Sequence, residues 1–206
     1  MTAVFLHGLG QTAQSWKLVL EGMDSGEFLC PELWDLSGRE EKNYPALYEG
    51  FVRFCEGIEQ PFCLCGLSLG AVLALQYAQE HPEKVGALAL IAPQYAPSKL
   101  LLQVQNMLFH LMPQKAFQQM GAQKKEILTL TSSMMELDLR GGMGRIHCPT
   151  LLLCGEKDRA NRKAALELQK YISGAELRLI GGAGHELNTE TPEKLGTLLN
   201  EFFRAV

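Results

Sequence analysis

Three residues of this chain have the types and the order that catalysis by a serine nucleophile requires. Ser68 lies in the middle of residues 66–70, Gly-Leu-Ser-Leu-Gly, and is followed along the chain by Asp158 and then by His185. A serine hydroxyl is a weak nucleophile until a base accepts its proton, and an acid must hold that base in the correct tautomer. The order serine, acid, histidine is typical of a serine on a strand-to-helix turn. We therefore predict covalent catalysis by Ser68, with Asp158 and His185 as acid and base.

The residues around the serine favour a sharp turn between a strand and a helix. Residues 61–65 are a short apolar run bounded by proline and glycine, which predicts a buried strand. Residues 69–80 are rich in helix formers and end before Pro82, which predicts a helix. So abrupt a reversal leaves no room for side chains at Gly66 and Gly70, and it pushes the serine hydroxyl outward.

Strand and helix alternate along the rest of the sequence. The predicted strands lie near 2–7, 28–33, 61–65, 85–91, 149–154 and 175–180, and the predicted helices near 12–23, 44–59, 69–80, 161–172 and 192–204. Apolar strands joined by helices indicate a parallel sheet buried on both faces. We expect one α/β domain over residues 1–206, a three-layer sandwich with a mostly or wholly parallel sheet of about six strands. His7, Ser68, Asp158 and His185 should then meet at the carboxyl edge of the sheet.

Four motifs together resemble those of the α/β-hydrolases. The oxyanion loop of that family stands here as residues 7–10, His-Gly-Leu-Gly, and its nucleophile elbow as residues 66–70. Its acid turn is residues 155–158, and its histidine loop is residues 182–185. The resemblance covers almost the whole chain except residues 97–146. The family usually has two further strands before the oxyanion loop, whereas here the loop follows the first predicted strand, so the chain resembles a minimal member with a shorter sheet.

The resemblance implies a serine hydrolase, with carboxylesterase as the default activity. Its substrates would be water and a small-molecule ester with a small to medium, uncharged, apolar acyl group. The backbone N–H groups of Leu9 and Leu69 should form the oxyanion hole. The same family includes carbon–carbon bond hydrolases and a menaquinone-pathway lyase, for which Arg140 or Arg145 would bind a substrate carboxylate. A binding protein that keeps only the fold is a further alternative.

Several residues have two interpretations at this stage. Asp158 is either the acid or the N-cap of the next helix, with Glu156 then the acid, and we favour Asp158 because it matches the family's position. His7 is expected to hydrogen-bond the oxyanion loop. Asn188 either braces the histidine loop or caps the turn before the last helix.

Residues 97–146 interrupt the alternation and are rich in methionine. Six of the eight methionines of the chain lie there. Flexible thioether side chains suit an adaptable apolar pocket, so we predict a helical lid and a substrate pocket that includes Leu9, Met107, Met112, Met134 and Met135. The alternative is that these methionines pack a helical subdomain.

A dinucleotide site is the main competing hypothesis. Gly8, Gly10 and Ala13 fit a G-x-G-x-x-A pattern after the first strand, and Glu32 or Asp35 would supply the acid. It leaves Asp158 and His185 without a role, so we expect no cofactor. The histidines and six cysteines lack metal-ligand spacing, and we expect free buried thiols and no metal.

Composition fits a globular enzyme. The 206 residues are 47% hydrophobic and carry a net charge of −4 without a basic run. We therefore expect no nucleic-acid partner and no membrane partner. The apolar start is too short for a signal sequence, which predicts a cytoplasmic location.

Overall fold

The computed structural model describes residues 2–24, 26–38, 42–59, 61–96, 99–119 and 122–206. Within them, six strands form one sheet with the order β2-β1-β3-β4-β5-β6, and every neighbouring pair is parallel. The strands are β1 (Thr2–Leu6), β2 (Glu27–Leu29), β3 (Phe62–Leu67), β4 (Val85–Ile91), β5 (Thr150–Gly155) and β6 (Glu176–Ile180). The predicted parallel sheet is confirmed.

Helices connect the strands and cover the sheet. The α-helices are α1 (Lys17–Glu21), α2 (Leu33–Leu36), α3 (Tyr44–Glu56), α4 (Leu69–Glu80), α5 (Lys99–Leu111), α6 (Gln114–Gln119), α7 (Lys124–Ser133), α8 (Arg159–Tyr171), α9 (Leu187–Glu190) and α10 (Pro192–Arg204). Short 3-10 helices span Ala13–Trp16, Pro82–Lys84 and Arg140–Arg145. None of the helices in the described part of the chain combines the length and the apolar character that crossing a bilayer demands.

Alternate residues of the central strands pack on opposite faces of the sheet. Leu64 of β3 and Leu88 of β4 belong to a core shared with α3 and α4. Cys65 and Ala89 belong to a second core on the other face, which is shared with α1 and α10. Since successive side chains of a strand point to opposite faces, this alternation gives the three layers of the predicted sandwich.

The strand order reverses direction beside β1. The chain passes from β1 to β2 on one side and then crosses to β3 on the other side, from which β4, β5 and β6 follow in order. In open parallel sheets the crevice at such a reversal, outside the carboxyl ends of the strands, is where ligands bind. His7 and Gly8 follow β1, and Ser68 follows β3, so all three lie at this crevice.

The second strand is shorter than predicted. The sequence suggested a strand near 28–33, but β2 ends at Leu29, and α2 begins at Leu33. Pro31 has no N–H to donate to a sheet ladder. The N–H of Leu33 instead donates to Nε2 of His7 at 3.1 Å, which holds α2 against the end of β1.

The connection between β4 and β5 is helical, as predicted from its sequence. Its described residues form α5, α6, α7 and the 3-10 helix Arg140–Arg145, and we call the part from α5 to α7 the lid segment. Leu130 of α7 and Met134 just after it are buried in the core that also includes α3 and α4. Whether the lid segment controls access to the site stays a prediction.

Candidate active site

Ser68 has a strained backbone conformation at the turn between β3 and α4. Its φ is 53° and its ψ is −109°, in a region that residues with a side chain rarely adopt. Its N–H donates to the carbonyl oxygen of Ile91 at 2.9 Å, and its own carbonyl accepts from the N–H of Val72 at 3.0 Å. Strain of this kind persists only where surrounding contacts impose it, and it is commonly found at functional sites.

The two glycines of the turn permit its close packing. A methyl group on Gly66 would overlap the backbone of Gly70, and one on Gly70 would overlap the carbonyl group of Leu6 in β1. Any side chain at either position would therefore push the turn away from the sheet. The predicted need for glycine at both positions follows directly from this geometry.

Asp158 and His185 are joined by a short hydrogen bond at the same edge of the sheet. His185 Nδ1 lies 2.7 Å from Asp158 Oδ2, and the aspartate side chain is 7% exposed whereas that of the histidine is 42% exposed. Because Nδ1–H donates to the carboxylate, Nε2 carries the lone pair and is free to accept a proton. This is the arrangement of a general base with its orienting acid.

The same contact shifts the pKa of both groups. Burial, the largest single effect, raises the pKa of Asp158, but hydrogen bonds from His185 and Asn161 outweigh it and lower the pKa below its ordinary value. The hydrogen bond to Asp158 raises the pKa of His185 above its ordinary value, against the opposing effect of burial. Asp158 therefore ionises more readily than an ordinary aspartate, and the imidazole of His185 is protonated more readily than that of an ordinary histidine.

Asp158 has both of the roles that its sequence left open. Its Oδ1 accepts from the N–H of Asn161 at 3.3 Å and so caps α8, while its Oδ2 accepts from His185. Glu156 faces elsewhere, and its Oε2 accepts from the N–H of Gly182 at 3.2 Å. The structure thus brings Asp158, and not Glu156, to the histidine.

Glu190 holds the histidine loop, a role that the sequence did not reveal. Its two carboxylate oxygens accept from the N–H of Gly184 at 2.6 Å and from that of Glu186 at 3.1 Å. These are the amides on either side of His185. One side chain therefore fixes the backbone that carries the candidate base.

The loop after β1 lies directly against the serine. A methyl group on Gly8 would lie 2.9 Å from Leu67 Cδ2 and 3.6 Å from Ser68 Cβ. Within the described part of the chain, the N–H groups of Leu9 and Leu69 have no hydrogen-bond acceptor. Two open backbone donors beside a serine are what an oxyanion hole requires.

The Ser68 hydroxyl has no hydrogen-bond partner among the described residues, so its contact with His185 is not formed in this conformation. Hydrogen bonds to a nucleophile are often long or absent before substrate binds.

His7 is structural. Its Nδ1 lies 2.9 Å from the carbonyl oxygen of Gly8, and its Nε2 accepts from Leu33. Burial, the largest effect, lowers the pKa of His7 below its ordinary value. Because Nε2 accepts from the N–H of Leu33, this nitrogen carries no proton, and the ring joins the oxyanion loop to α2, with Glu32 Oε2 3.4 Å from Nε2.

Comparison with known proteins agrees with this geometry. Residues 3–196 match the profile of the Alpha/beta hydrolase family. The chain belongs to this family. It is 24% identical to human monoacylglycerol lipase ABHD6 over 98% of its own length and 75% of the relative. It is 26% identical to the biotin biosynthesis bifunctional protein BioHC of Cellvibrio japonicus over 98% of its length, and it spans about half of that relative, 47%.

Solved structures of the family share the fold. MenH from S. aureus superposes with a TM-score of 0.82, covering 100% of this chain and 94% of that one, at 18% sequence identity. At that identity, the likeness concerns the fold alone.

Apolar side chains lie next to the oxyanion loop. The crevice beside it is lined by His7, Gly8, Leu9, Leu33, Trp34, Leu47, Leu69 and Leu130. It has room for about one water molecule. Of these lining residues, Leu130 belongs to α7 of the lid segment.

The four methionines predicted to line the substrate pocket do not line this crevice. Met107 is 59% exposed, and Met134 is buried in the main core. Met135 packs against that core, and Met112 packs against a small cluster of Phe117, Ala122 and Ile127, which Leu9 and Trp34 also contact. The spacing of apolar residues in the sequence indicated an apolar helix face but not what that face packs against. Contact between these methionines and a substrate stays a prediction.

The two arginines considered for a substrate carboxylate are on the surface. Arg140 Nε donates to both oxygens of Asp138, at 2.8 and 3.0 Å, and lines an open cavity with Tyr95 and Met135. Arg145 is exposed. Neither is among the residues that line the crevice beside the oxyanion loop.

The start of the helix after β1, in the segment that fits the dinucleotide pattern, is hydrogen-bonded to a side chain of this chain. Glu32 Oε1 accepts from the N–H of Ala13 at 3.0 Å, at the start of the 3-10 helix after β1, and Trp16 of that helix is fully buried. Among the described residues, no three His, Cys, Asp or Glu side chains are grouped as a metal site. All six cysteines are free thiols.

Proposed function

We propose that this protein is a serine hydrolase that cleaves carboxylic esters through an acyl-enzyme on Ser68. The observation that carries the proposal is the 2.7 Å contact between Asp158 and His185 at the sheet edge where Ser68 forms a strained elbow. Membership of the Alpha/beta hydrolase family supports hydrolysis as the reaction class.

In the proposed reaction, Nε2 of His185 accepts the proton of Ser68 Oγ, and the oxygen attacks the ester carbonyl carbon. The N–H groups of Leu9 and Leu69 donate to the resulting oxyanion, and one such donor typically lowers the barrier by about 3 kcal/mol. The imidazolium, stabilised by Asp158, returns its proton to the leaving alcohol. His185 then takes a proton from water, whose oxygen attacks the acyl carbon. The imidazolium returns that proton to Ser68 Oγ as the bond between Oγ and the acyl carbon breaks, which regenerates Ser68 and releases the acid.

The substrate we propose has an uncharged, small to medium apolar acyl group. The crevice beside the oxyanion loop supports this choice, since Leu9, Leu33, Trp34, Leu47 and Leu130 present aliphatic and aromatic surface to it. A relative named as a monoacylglycerol lipase makes glyceride monoesters a reasonable first class to test. Arg140 pairs with Asp138, and neither Arg140 nor Arg145 lines this crevice, so we place ester hydrolysis ahead of carbon–carbon cleavage or a lyase reaction.

Covalent labelling tests the proposal directly. A fluorophosphonate probe should attach to the wild-type chain at Ser68 and not to Ser68→Ala, as read by mass spectrometry of the labelled peptide. A series of p-nitrophenyl esters from acetate to decanoate, together with monoacylglycerols, should then give turnover and the acyl preference. A folded chain that takes no label and turns over no ester would favour a binding protein instead.

A further inference from the structure

Asn161 connects the candidate acid with a loop on a neighbouring strand. In the first turn of α8, its Nδ2 donates to Asp158 Oδ1 at 2.9 Å and to Asp158 Oδ2 at 2.8 Å. On its other side, Gln94 Nε2 donates to Asn161 Oδ1 at 2.8 Å. Gln94 lies in the loop that follows β4, so the contact joins the end of that strand to the acid.

These contacts determine which way the amide of Asn161 faces. The carboxylate of Asp158 accepts hydrogen bonds and has none to donate, so the NH₂ group of Asn161 is the end that faces it. The Oδ1 of Asn161 then faces Gln94 and accepts from its Nε2. Gln94 thus holds the outer end of the amide that Asp158 orients.

We propose that Asn161 is a positioning residue for Asp158, and that Gln94 acts through it by holding its amide in place. The proposal rests on the assignment of Asp158 and His185 as acid and base. The backbone N–H and the side chain of Asn161 hold Oδ1, so that the plane of the carboxylate is fixed and Oδ2 faces Nδ1 of His185. Hydrogen bonds from a supporting residue of this kind restrict the orientation on which efficient proton transfer depends.

Asn161 also lies beside the base itself. Its Nδ2 is 3.1 Å from His185 Nδ1, and both nitrogens donate to the same oxygen of Asp158. A negative charge at position 161 would therefore act on the imidazole directly. The other charged groups that face His185 are Glu186 and Glu190. Arg162 and the Cys154 thiol lie near Asp158.

The first experiment replaces Asn161 with an isosteric carboxylate. Asn161→Asp adds a negative charge within hydrogen-bond reach of His185, so the acid limb of the kcat/KM profile should move to higher pH by about one unit. Gln169→Asp adds the same charge to an exposed position of α8 and should leave the limb unchanged. NMR titration of His185 measures the same shift without depending on turnover. Titration curves that coincide in wild type and Asn161→Asp would overturn the proposal.

The second experiment tests whether Gln94 acts through Asn161. Asn161→Ala keeps the backbone N–H that donates to the N-cap Asp158. It should lower kcat by about tenfold to a hundredfold with little change in KM. Gln94→Met should cost less in the wild-type background and almost nothing in the Asn161→Ala background, because the residue through which it acts is then gone. Additive losses would overturn the role of Gln94, and an unchanged kcat in folded Asn161→Ala would overturn that of Asn161.

These outcomes are distinct from failure of the proposed function. If Ser68→Ala or His185→Gln retained full ester turnover, the assignment of the triad would be wrong. If both were inactive while the Asn161 variants matched wild type in kcat and in the pKa of His185, the triad would stand and only the positioning role would be lost.

Discussion

The side-chain amides of Gln11 and Asn188 face each other through two reciprocal hydrogen bonds, each 3.1 Å long. Both side chains are buried. Oε1 of Gln11 also accepts from the N–H of Gly8 at 3.2 Å, and Nδ2 of Asn188 donates to Ser15 Oγ at 3.1 Å. The pair therefore ties the candidate oxyanion loop to α9, which begins two residues after His185, and Asn188 braces the histidine loop.

Replacing one member of this pair should destabilise the fold. Asn188→Leu leaves the amide of Gln11 buried without its partner, so we expect a loss of about 1–3 kcal/mol in the free energy of unfolding, measured by urea denaturation. The double variant Gln11→Leu with Asn188→Leu should lose less than the sum of the two single variants, since both partners are then apolar. Strictly additive losses would show that the two amides do not depend on each other.

Ser68→Ala should abolish hydrolysis of short p-nitrophenyl esters without unfolding the chain. Alanine differs from serine only by the hydroxyl, so the turn between Gly66 and Gly70 accommodates it. Circular dichroism checks the fold, and initial rates at saturating ester check turnover. Activity close to wild type in the folded variant would refute Ser68 as the nucleophile.

Asp158 and Glu156 offer a matched pair of substitutions in one turn. Asp158→Asn retains a good N-cap for α8 but no longer holds the Nδ1–H tautomer of His185, and kcat should fall by about 10⁴-fold. Glu156→Gln still accepts from the N–H of Gly182 and should change kcat little. Rates for both variants with one ester decide between them, and the reverse ranking would make Glu156 the acid.

The raised pKa of His185 predicts opposite effects of pH on activity and on stability. The base must be neutral, so kcat/KM should fall as the pH drops through a value above the ordinary 6.5 of histidine. The stabilisation that His185 gains from protonation in the folded state is fully present below its unfolded pKa and is lost as pH rises through its folded pKa. Profiles of kcat/KM across pH 5–9 test the effect on activity, and urea unfolding over the same range tests the effect on stability. His185→Gln is the control and should lack this pH dependence of the free energy of unfolding. An acid limb below the ordinary value would contradict the prediction.

Local features of the sequence predicted the parts of the site that depend on local geometry. Glycines on both sides of Ser68 indicated the tight turn, because only a residue without a side chain fits there. The strand ends before Asp158 and His185 indicated one common edge, because parallel strands end together.

The supporting contacts could not be predicted in the same way. Gln11 pairs with Asn188, which is 177 positions away, and Gln94 pairs with Asn161. Polar residues of this kind occur in most loops, and nothing in their spacing identifies a partner. Packing of the lid segment could not be predicted from the sequence either. Helical spacing predicted an apolar face on α5, but Met107 and Leu108 on that face are exposed.

The lid segment should set the acyl preference through Leu130 of α7. Leu130 lines the crevice beside the oxyanion loop with Leu9 and Leu69, and that crevice has room for about one water molecule. Leu130→Ala should therefore raise kcat/KM for longer p-nitrophenyl esters relative to the acetate, while fluorophosphonate labelling of Ser68 is preserved. Met107→Gln, at an exposed position of α5, is the matched control and should leave the preference unchanged. If Met107→Gln shifted the preferred chain length and Leu130→Ala did not, the acyl pocket would be built by the methionines, as the sequence alone suggested.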